Sequence, residues 1–226
     1  MTPDLILAID QGTTNTKALL VDAEGRVAAS ASVRVPVTFP RSGWVESDGQ
    51  QLWATVEAAI AEVIGTVDPT RVAAVAVANQ RESVLVWERA TGRPLGPVVS
   101  WQCRRSTERC AALRSGGVEQ LVHARTGLQL DPMFSATKAA WLLDQVPDGD
   151  RRAQAGELCV GTIDSWLAWN LSGGRLLEKW TAVPDLALEA RPLGHPQDAW
   201  AGILNLRGAL TIDRQSQALP SAVEVR

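Results

Sequence analysis

Tyrosine is absent from this chain, and histidine occurs only at His123 and His195. Neither histidine has a partner at metal-ligand spacing, so both read as structural or surface residues. Cysteine is also scarce. Cys103, Cys110 and Cys159 are an odd number at no ligand spacing, which excludes a disulfide framework and fits reduced thiols in a cytoplasmic protein. No apolar run nears the roughly 20 residues of a membrane-spanning helix. The N-terminus carries Asp4 and no basic segment, against a signal peptide. Positive charge is not in excess: the net charge is −3, which leaves no footprint for nucleic acid or an anionic membrane. There is no G-x-G-x-x-G after the first apolar run and no G-x-x-x-x-G-K-[ST] anywhere, so dinucleotide-fold and P-loop readings are excluded. What remains is a chain of 226 residues, 46% apolar, with nine tryptophans to fill large core positions. That is enough for one large domain or two small ones.

The first forty residues read as a three-strand antiparallel meander. Leu5–Ile9 and Lys17–Asp22 are apolar runs, "AEGR" at 23–26 is a turn, and Val27–Val37 ends at Pro36 and Pro40. A helix follows, with Ser47 or Asp48 as N-cap and Leu52, Val56, Ile60, Val63 and Ile64 on one face. "RVAAVAVANQ" at 71–80 is a run typical of a strand covered on both faces. Two strands then flank a Thr91-Gly92 turn, the second ending near Trp101. Helical texture spans 104–125, broken at Gly116-Gly117, and again about Ser135–Val146, stopped by Pro147. "LCVGTIDSWLAWNLSGG" is a strand and a short helix. The order predicts an α/β fold with a mixed sheet and helices on its faces. Residues 175–226, broken by Pro184, Pro192, Pro196 and Pro220, show no long period and read as weakly structured.

The first turn, "DQGTTNTK", concentrates polar chemistry. Asp10 ends a strand, where a carboxylate can hold Mg²⁺ directly or through water. Gly12 permits a tight turn and close approach of a ligand. Successive N–H groups at Gly12, Thr13, Thr14 and Asn15 can form an anion nest, the Thr13 and Thr14 hydroxyls add donors, and Lys17 adds a cation. These are parts used in phosphoryl transfer. An ordinary hairpin turn uses the same residue types, so the stretch alone leaves both readings open. Later, "NQRES" follows an apolar strand, and its Arg81–Glu82 pair suits a polyol: guanidinium donates to hydroxyl oxygens and carboxylate accepts from hydroxyl hydrogens. An inert ion pair is the competing reading. Asp164 reads as a helix cap, and Lys138 and Asp144 as residues on a solvated helix face.

"DQGTTNTKALLVD" resembles the first phosphate-binding hairpin of the actin-like sugar kinases of the FGGY family. "FPRSGWVESDGQQLW", "NQRESVLVWERATGRPLGPVVSWQCRR", "RTGLQLDPMFSATKAAWLLD" and "GTIDSWLAWNLSGG" follow in that family's order, from about Leu5 to Gly174. "NQRE" and "WQCRR" are most similar to the glycerol kinase branch. The resemblance implies an actin-like (ribonuclease H-like) fold and ATP-dependent phosphorylation of a small polyol or sugar, with ATP and Mg²⁺ required. It implies Asp10 on the metal, the 12–17 turn on phosphate, and Arg81 and Glu82 on substrate hydroxyls. Trp101 becomes an apolar wall. Met133 stands where glycerol kinases have a tyrosine of the glycerol site, which leaves room for another polyol or sugar. Cys103 stands where "WQDRR" is usual, predicting an altered local ion pair rather than a redox role. Family members are often homo-oligomers.

The family's general base, an Asp in a "GDQ" motif, does not occur in these 226 residues, so no catalytic residue is assigned. The departure after about Arg175 is expected to reflect a frameshift or gene break. Residues 1–174 would then be the N-terminal actin-like domain and 175–226 a divergent tail, with the C-terminal actin-like domain absent. A non-catalytic remnant, or a polyol- or phosphate-binding module, is the alternative. An actin-like chaperone or filament ATPase is disfavoured by Arg81, Glu82 and Trp101.

Overall fold

A computed structural model describes residues 4–174. The expected tail at 175–226, and His195 with it, lie outside the described residues. In chain order the elements are β1 (Leu5–Gln11), β2 (Asn15–Asp22), β3 (Val27–Arg34), β4 (Glu46–Ser47), α1 (Gly49–Ile64), β5 (Val72–Asn79), β6 (Val84–Glu88) and β7 (Val98–Val99). They continue with α2 (Thr107–Ser115), α3 (Val118–Thr126), α4 (Ser135–Asp144), α5 (Gly149–Gln154), β8 (Leu158–Thr162) and α6 (Ile163–Leu171). The described residues fall into two compact units, one of residues 4–36 and 50–80, the other of 37–49 and 81–174.

The first unit holds a mixed sheet in the order β3-β2-β1-β5. The expected meander is there: β1 pairs antiparallel with β2, and β2 with β3. β5 runs parallel to β1, a connection that needs the long crossover supplied through α1. Alternation decides which residues enter the core. Leu5, Leu7, Ile9, Ala18 and Leu20 are buried from the sheet, and Leu52, Val56, Ala59 and Val63 from α1. Thr16 and Thr55 join β2 to α1 by a 2.6 Å hydroxyl–hydroxyl hydrogen bond. β5 corrects the sequence reading. It is an edge strand among the described residues, and only Val75 along it is buried. Among the described residues its Val/Ala run is only partly covered.

The second unit holds an antiparallel sheet in the order β4-β7-β6-β8. Four consecutive β6 residues, Val84–Trp87, are buried, as expected for a strand covered on both faces. Val84 and Val86 pack with Val99, Cys103, Ala139, Leu142 and Val146 on the α4 side. Trp87 meets Trp166 of α6 edge-on, with ring centroids 5.3 Å apart, a favourable aromatic geometry. Gly92 in the β6–β7 turn has φ +70°, and a Cβ there would lie 2.6 Å from Trp169 Nε1, so only glycine fits. α4 stops at Asp144, short of the expected Val146, and the short α5 was not anticipated.

Candidate active site

In the first unit the polar hairpin sits where β1 and β2 end. Asp10 lies opposite Lys17, and Gln11 opposite Thr16. Asp10, Thr14, Asn15 and Lys17 are exposed. The turn is closed by its own backbone: Gly12 N–H donates to Asn15 O at 2.9 Å. That donor is therefore occupied, and it drops out of the anion nest expected at residues 12–15. A Cβ on Gly12 would approach Asn15 O to 3.1 Å, tighter than ordinary contact. Two residues that the sequence did not single out brace the turn. Gln11 is buried, and its Nε2 donates to Gly12 O at 2.8 Å. Gln80, just past β5, donates from its backbone to Gln11 O at 2.7 Å and from Nε2 to Gln11 Oε1 at 3.0 Å. The exposed edge of the hairpin is thus presented on a fixed base. Among the described residues no group of three or more His, Cys, Asp or Glu could hold a metal, so a cation at Asp10 would draw its other ligands from water and phosphate, as Mg²⁺ commonly does.

In the second unit the predicted substrate residues come from three separated segments. Arg81 and Glu82 precede β6. Arg81 is exposed. Glu82 has φ +62°, a left-handed backbone rare for a residue with a side chain. Its Oε2 accepts from Ser135 N–H at 2.9 Å and from Ser135 Oγ at 2.7 Å, at the positive N-terminal end of α4. Trp101 follows β7. Its N–H donates to Ser83 Oγ at 3.0 Å and its side chain is partly exposed. Met133 precedes α4, equally exposed, with its N–H held by Asp131 Oδ1 at 2.7 Å. Trp101 and Met133 line one open cleft with Gln102, Gln129, Asp131 and Phe134. Asp131 in turn binds Arg104 at 3.0 Å.

Lys138 is a second correction. It does not lie on a solvated face but is fully buried. Its Nζ donates to Glu82 O at 2.7 Å, Met133 O at 2.6 Å and Ser100 O at 3.4 Å. Burial pulls its pKa down from 10.5 to about 8, against the raising influence of the nearby Glu82. Asp144 is exposed and paired with Arg109, as expected. Asp164 is not the α6 cap; Thr162 is. Asp164 is the second residue of the helix, within its first turn and 3% exposed, with Oδ1 accepting from Thr162 Oγ1 and Oδ2 making no hydrogen bond among the described residues. Burial raises its pKa to about 6. Cys103 has a buried arginine at its side. Arg105 Nε donates to Cys103 Sγ at 3.0 Å, and its guanidinium pairs with Glu46. That guanidinium lies 4.1 Å from the Trp44 ring centre and 4.6 Å from that of Trp141.

Comparison with known proteins places this architecture. The family model for the N-terminal domain of the FGGY carbohydrate kinases matches residues 5–185. The chain belongs to the FGGY family of carbohydrate kinases. Glycerol kinase of Stenotrophomonas maltophilia is 49% identical over 177 residues, covering 77% of this chain and 36% of that protein. Apulose kinase of Pectobacterium atrosepticum is 48% identical over 171 residues, covering 76% and 34%. The crystal structure of Plasmodium falciparum glycerol kinase with ADP superposes with a TM-score of 0.73 at 27% identity, covering 76% of this chain and 35% of that one. The mixed α/β architecture is therefore that of the actin-like FGGY kinases. The chain spans about a third of the length of the relatives it matches. The family match also runs past Gly174, to residue 185. Among the described residues no helix is long and apolar enough to cross a membrane.

Proposed function

We propose that the chain carries the acceptor-binding residues and one phosphate-binding hairpin of an ATP-dependent kinase for a small polyol or sugar. The observation that carries this reading is the convergence, in the second unit, of three distant segments bearing Glu82, Trp101 and Met133. In this reading Trp101 and Met133 pack against the carbon skeleton of the acceptor. Arg81 donates to hydroxyl oxygens. Glu82 Oε2 is taken by Ser135, and Oε1 receives a hydroxyl proton donor of the acceptor. Met133 offers no hydroxyl, so the pocket discriminates less by hydrogen bonding at that wall. A polyol larger than glycerol, or a ketose, fits as well as glycerol does.

On the phosphate side, Asp10 would hold Mg²⁺, and Thr13, Thr14, Asn15 and Lys17 would meet the phosphates of ATP. Asp10 is exposed and its carboxylate makes no hydrogen bond among the described residues, which suits it to a hydrated cation. Gly12 serves the close turn. Bound there, ATP supplies the transferred phosphoryl group, and this chain's contribution is to orient phosphate and acceptor.

A polypeptide of these 226 residues has no "GDQ" carboxylate. It is proposed to bind rather than to turn over, because losing a single electrostatic contributor to the transition state costs about 3–4 kcal/mol. Grafting residues 5–174 in place of the matched third of a full-length glycerol kinase tests the function. ADP release with glycerol, pentitols and pentuloses as acceptors is the readout. Turnover with at least one of them is expected. A folded chimera with no turnover on any would refute the reading.

A further inference from the structure

The strongest unexplained feature of the second unit is a full positive charge with no anion at its side. Lys138 occupies the buried face of α4 beside Ala139 and Leu142, where methionine or leucine would pack without desolvating a charge. Its ammonium has three protons, and the structure gives it three backbone carbonyl acceptors. Among the described residues no carboxylate comes within ion-pair distance of Nζ. The three carbonyls belong to Glu82, Ser100 and Met133. These are the backbone of the three segments that present Glu82, Trp101 and Met133, which lie far apart in sequence.

We infer that Lys138 is a positioning residue of the acceptor pocket, its ammonium gathering the backbone that carries Glu82, Trp101 and Met133. The inference rests on the acceptor reading above. It explains how Glu82 is kept at φ +62°: its carbonyl is held by Nζ at 2.7 Å while its carboxylate is held by Ser135. It also explains why the charge is kept where burial draws its pKa towards 8. Glu82, Cys103 and Asp131 favour the charged form there, and Arg105 opposes it.

The test uses the whole chain with ¹⁵N label in the backbone and in lysine Nζ. The sequence holds only three lysines, Lys17, Lys138 and Lys179, and Lys138→Met identifies the resonance by its loss. Over a pH titration, the amides of Ser83, Trp101 and Ser135 are expected to shift with the midpoint of Lys138 Nζ, near 8. Amides of the first unit, such as Ala18 and Leu20, are expected to stay still. In a Cys103→Ser control, which removes one group that favours the ammonium, the same amides are expected to follow Nζ to its lower midpoint. In Lys138→Met the same three amides are displaced at every pH. Pocket amides that stay flat while Nζ titrates overturn the inference, and this holds even if Lys138→Met does not fold. If the lysine were needed only for stability, Lys138→Met would lower the unfolding midpoint without moving these amides. In a second arm, glycerol and a pentulose are titrated below and above the midpoint, with affinity expected to fall about tenfold as the ammonium is lost. Equal affinity on both sides counts against the inference. No binding on either side counts against the acceptor reading alone, and the amide titration then decides the role of Lys138.

Discussion

Arg105 offers a quantitative test of how the second unit is held together. Its side chain is fully buried, against the rings of Trp44 and Trp141, which stand nearly perpendicular to each other, and paired with a Glu46 that is 19% exposed. Replacing it with alanine removes two cation–π contacts, each worth about 0.5–2 kcal/mol, and leaves Glu46 facing an apolar gap. Breaking a buried pair from one side costs about 3–5 kcal/mol. Overlap between these terms makes about 4 kcal/mol the expected loss for Arg105→Ala, measured by urea unfolding followed through tryptophan fluorescence and circular dichroism. The wild-type arrangement is not ideal, however. Nη1 of Arg105 is buried and makes no hydrogen bond among the described residues, a cost of about 1–3 kcal/mol already present in the native state. The double replacement Arg105→Met with Glu46→Leu removes both charges and that orphan donor, so it is expected to recover most of the loss and end near wild type. Arg105→Lys keeps the charge but not the planar stack, and falls between. A loss below about 1 kcal/mol for Arg105→Ala would refute the assignment of the stability to this cluster. A double variant as unstable as the alanine one would show that shape, not charge pairing, sets the cost.

Other predictions follow the same logic. Asp164 has its folded pKa raised to about 6 from an ordinary 3.8, so the folded state holds the proton more tightly. Its contribution is complete below about pH 3.8 and is lost as pH rises through about 6, and Asp164→Asn should flatten that fall in a stability–pH curve. Lys138 has the opposite linkage. Its folded pKa is depressed from 10.5 to about 8, and at 1.36 kcal/mol per pH unit the penalty is about 3 kcal/mol below pH 8, relieved as pH rises towards 10.5. Global stability should therefore gain over a range where the pocket amides lose their native positions, and Lys138→Met should abolish that gain. Gly92→Ala, with φ +70° and a 2.6 Å approach to Trp169, should cost about 1–3 kcal/mol by thermal unfolding. A polypeptide of these 226 residues should release no ADP above background in a coupled assay with any polyol.

Much of the fold could be read from periodicity. The meander, the helix carrying Leu52 and Val56, and the β8–α6 segment all stand where alternation or a 3.6-residue period put them. β5 misled because a Val/Ala run looks the same on an edge as in a sheet centre; its neighbours decide, and they are tertiary. The polar hairpin and the Arg81–Glu82 pair were singled out by several motifs standing in one order, since their residue types alone also suit a plain turn and an inert ion pair. Lys138 was not, because a lysine on a short amphipathic helix nearly always faces water. Nothing in "SATKAAW" shows that three carbonyls from elsewhere converge above it. Gln11 and Gln80 were missed for a related reason: a glutamine that braces a turn has no sequence signature. The cap expected at Asp164 lies two residues earlier because "TID" offers two capping residues, and Thr162 takes the position.

The two bonds from Ser135 to the Glu82 carboxylate change what mutational data at position 82 can mean. Glu82 is at once a candidate ligand contact and the splint that seats the first residue of α4. A deep mutational scan scored on growth would register almost every change there as damaging. Such a scan would fold two separate failures, lost recognition and a loosened helix end, into one number. Glutamine preserves a carbonyl oxygen for Ser135 while removing the negative charge, so it is the informative substitution. Scored beside aspartate, which keeps the charge but shortens the reach, it separates the two failures and gives position 82 a readable phenotype.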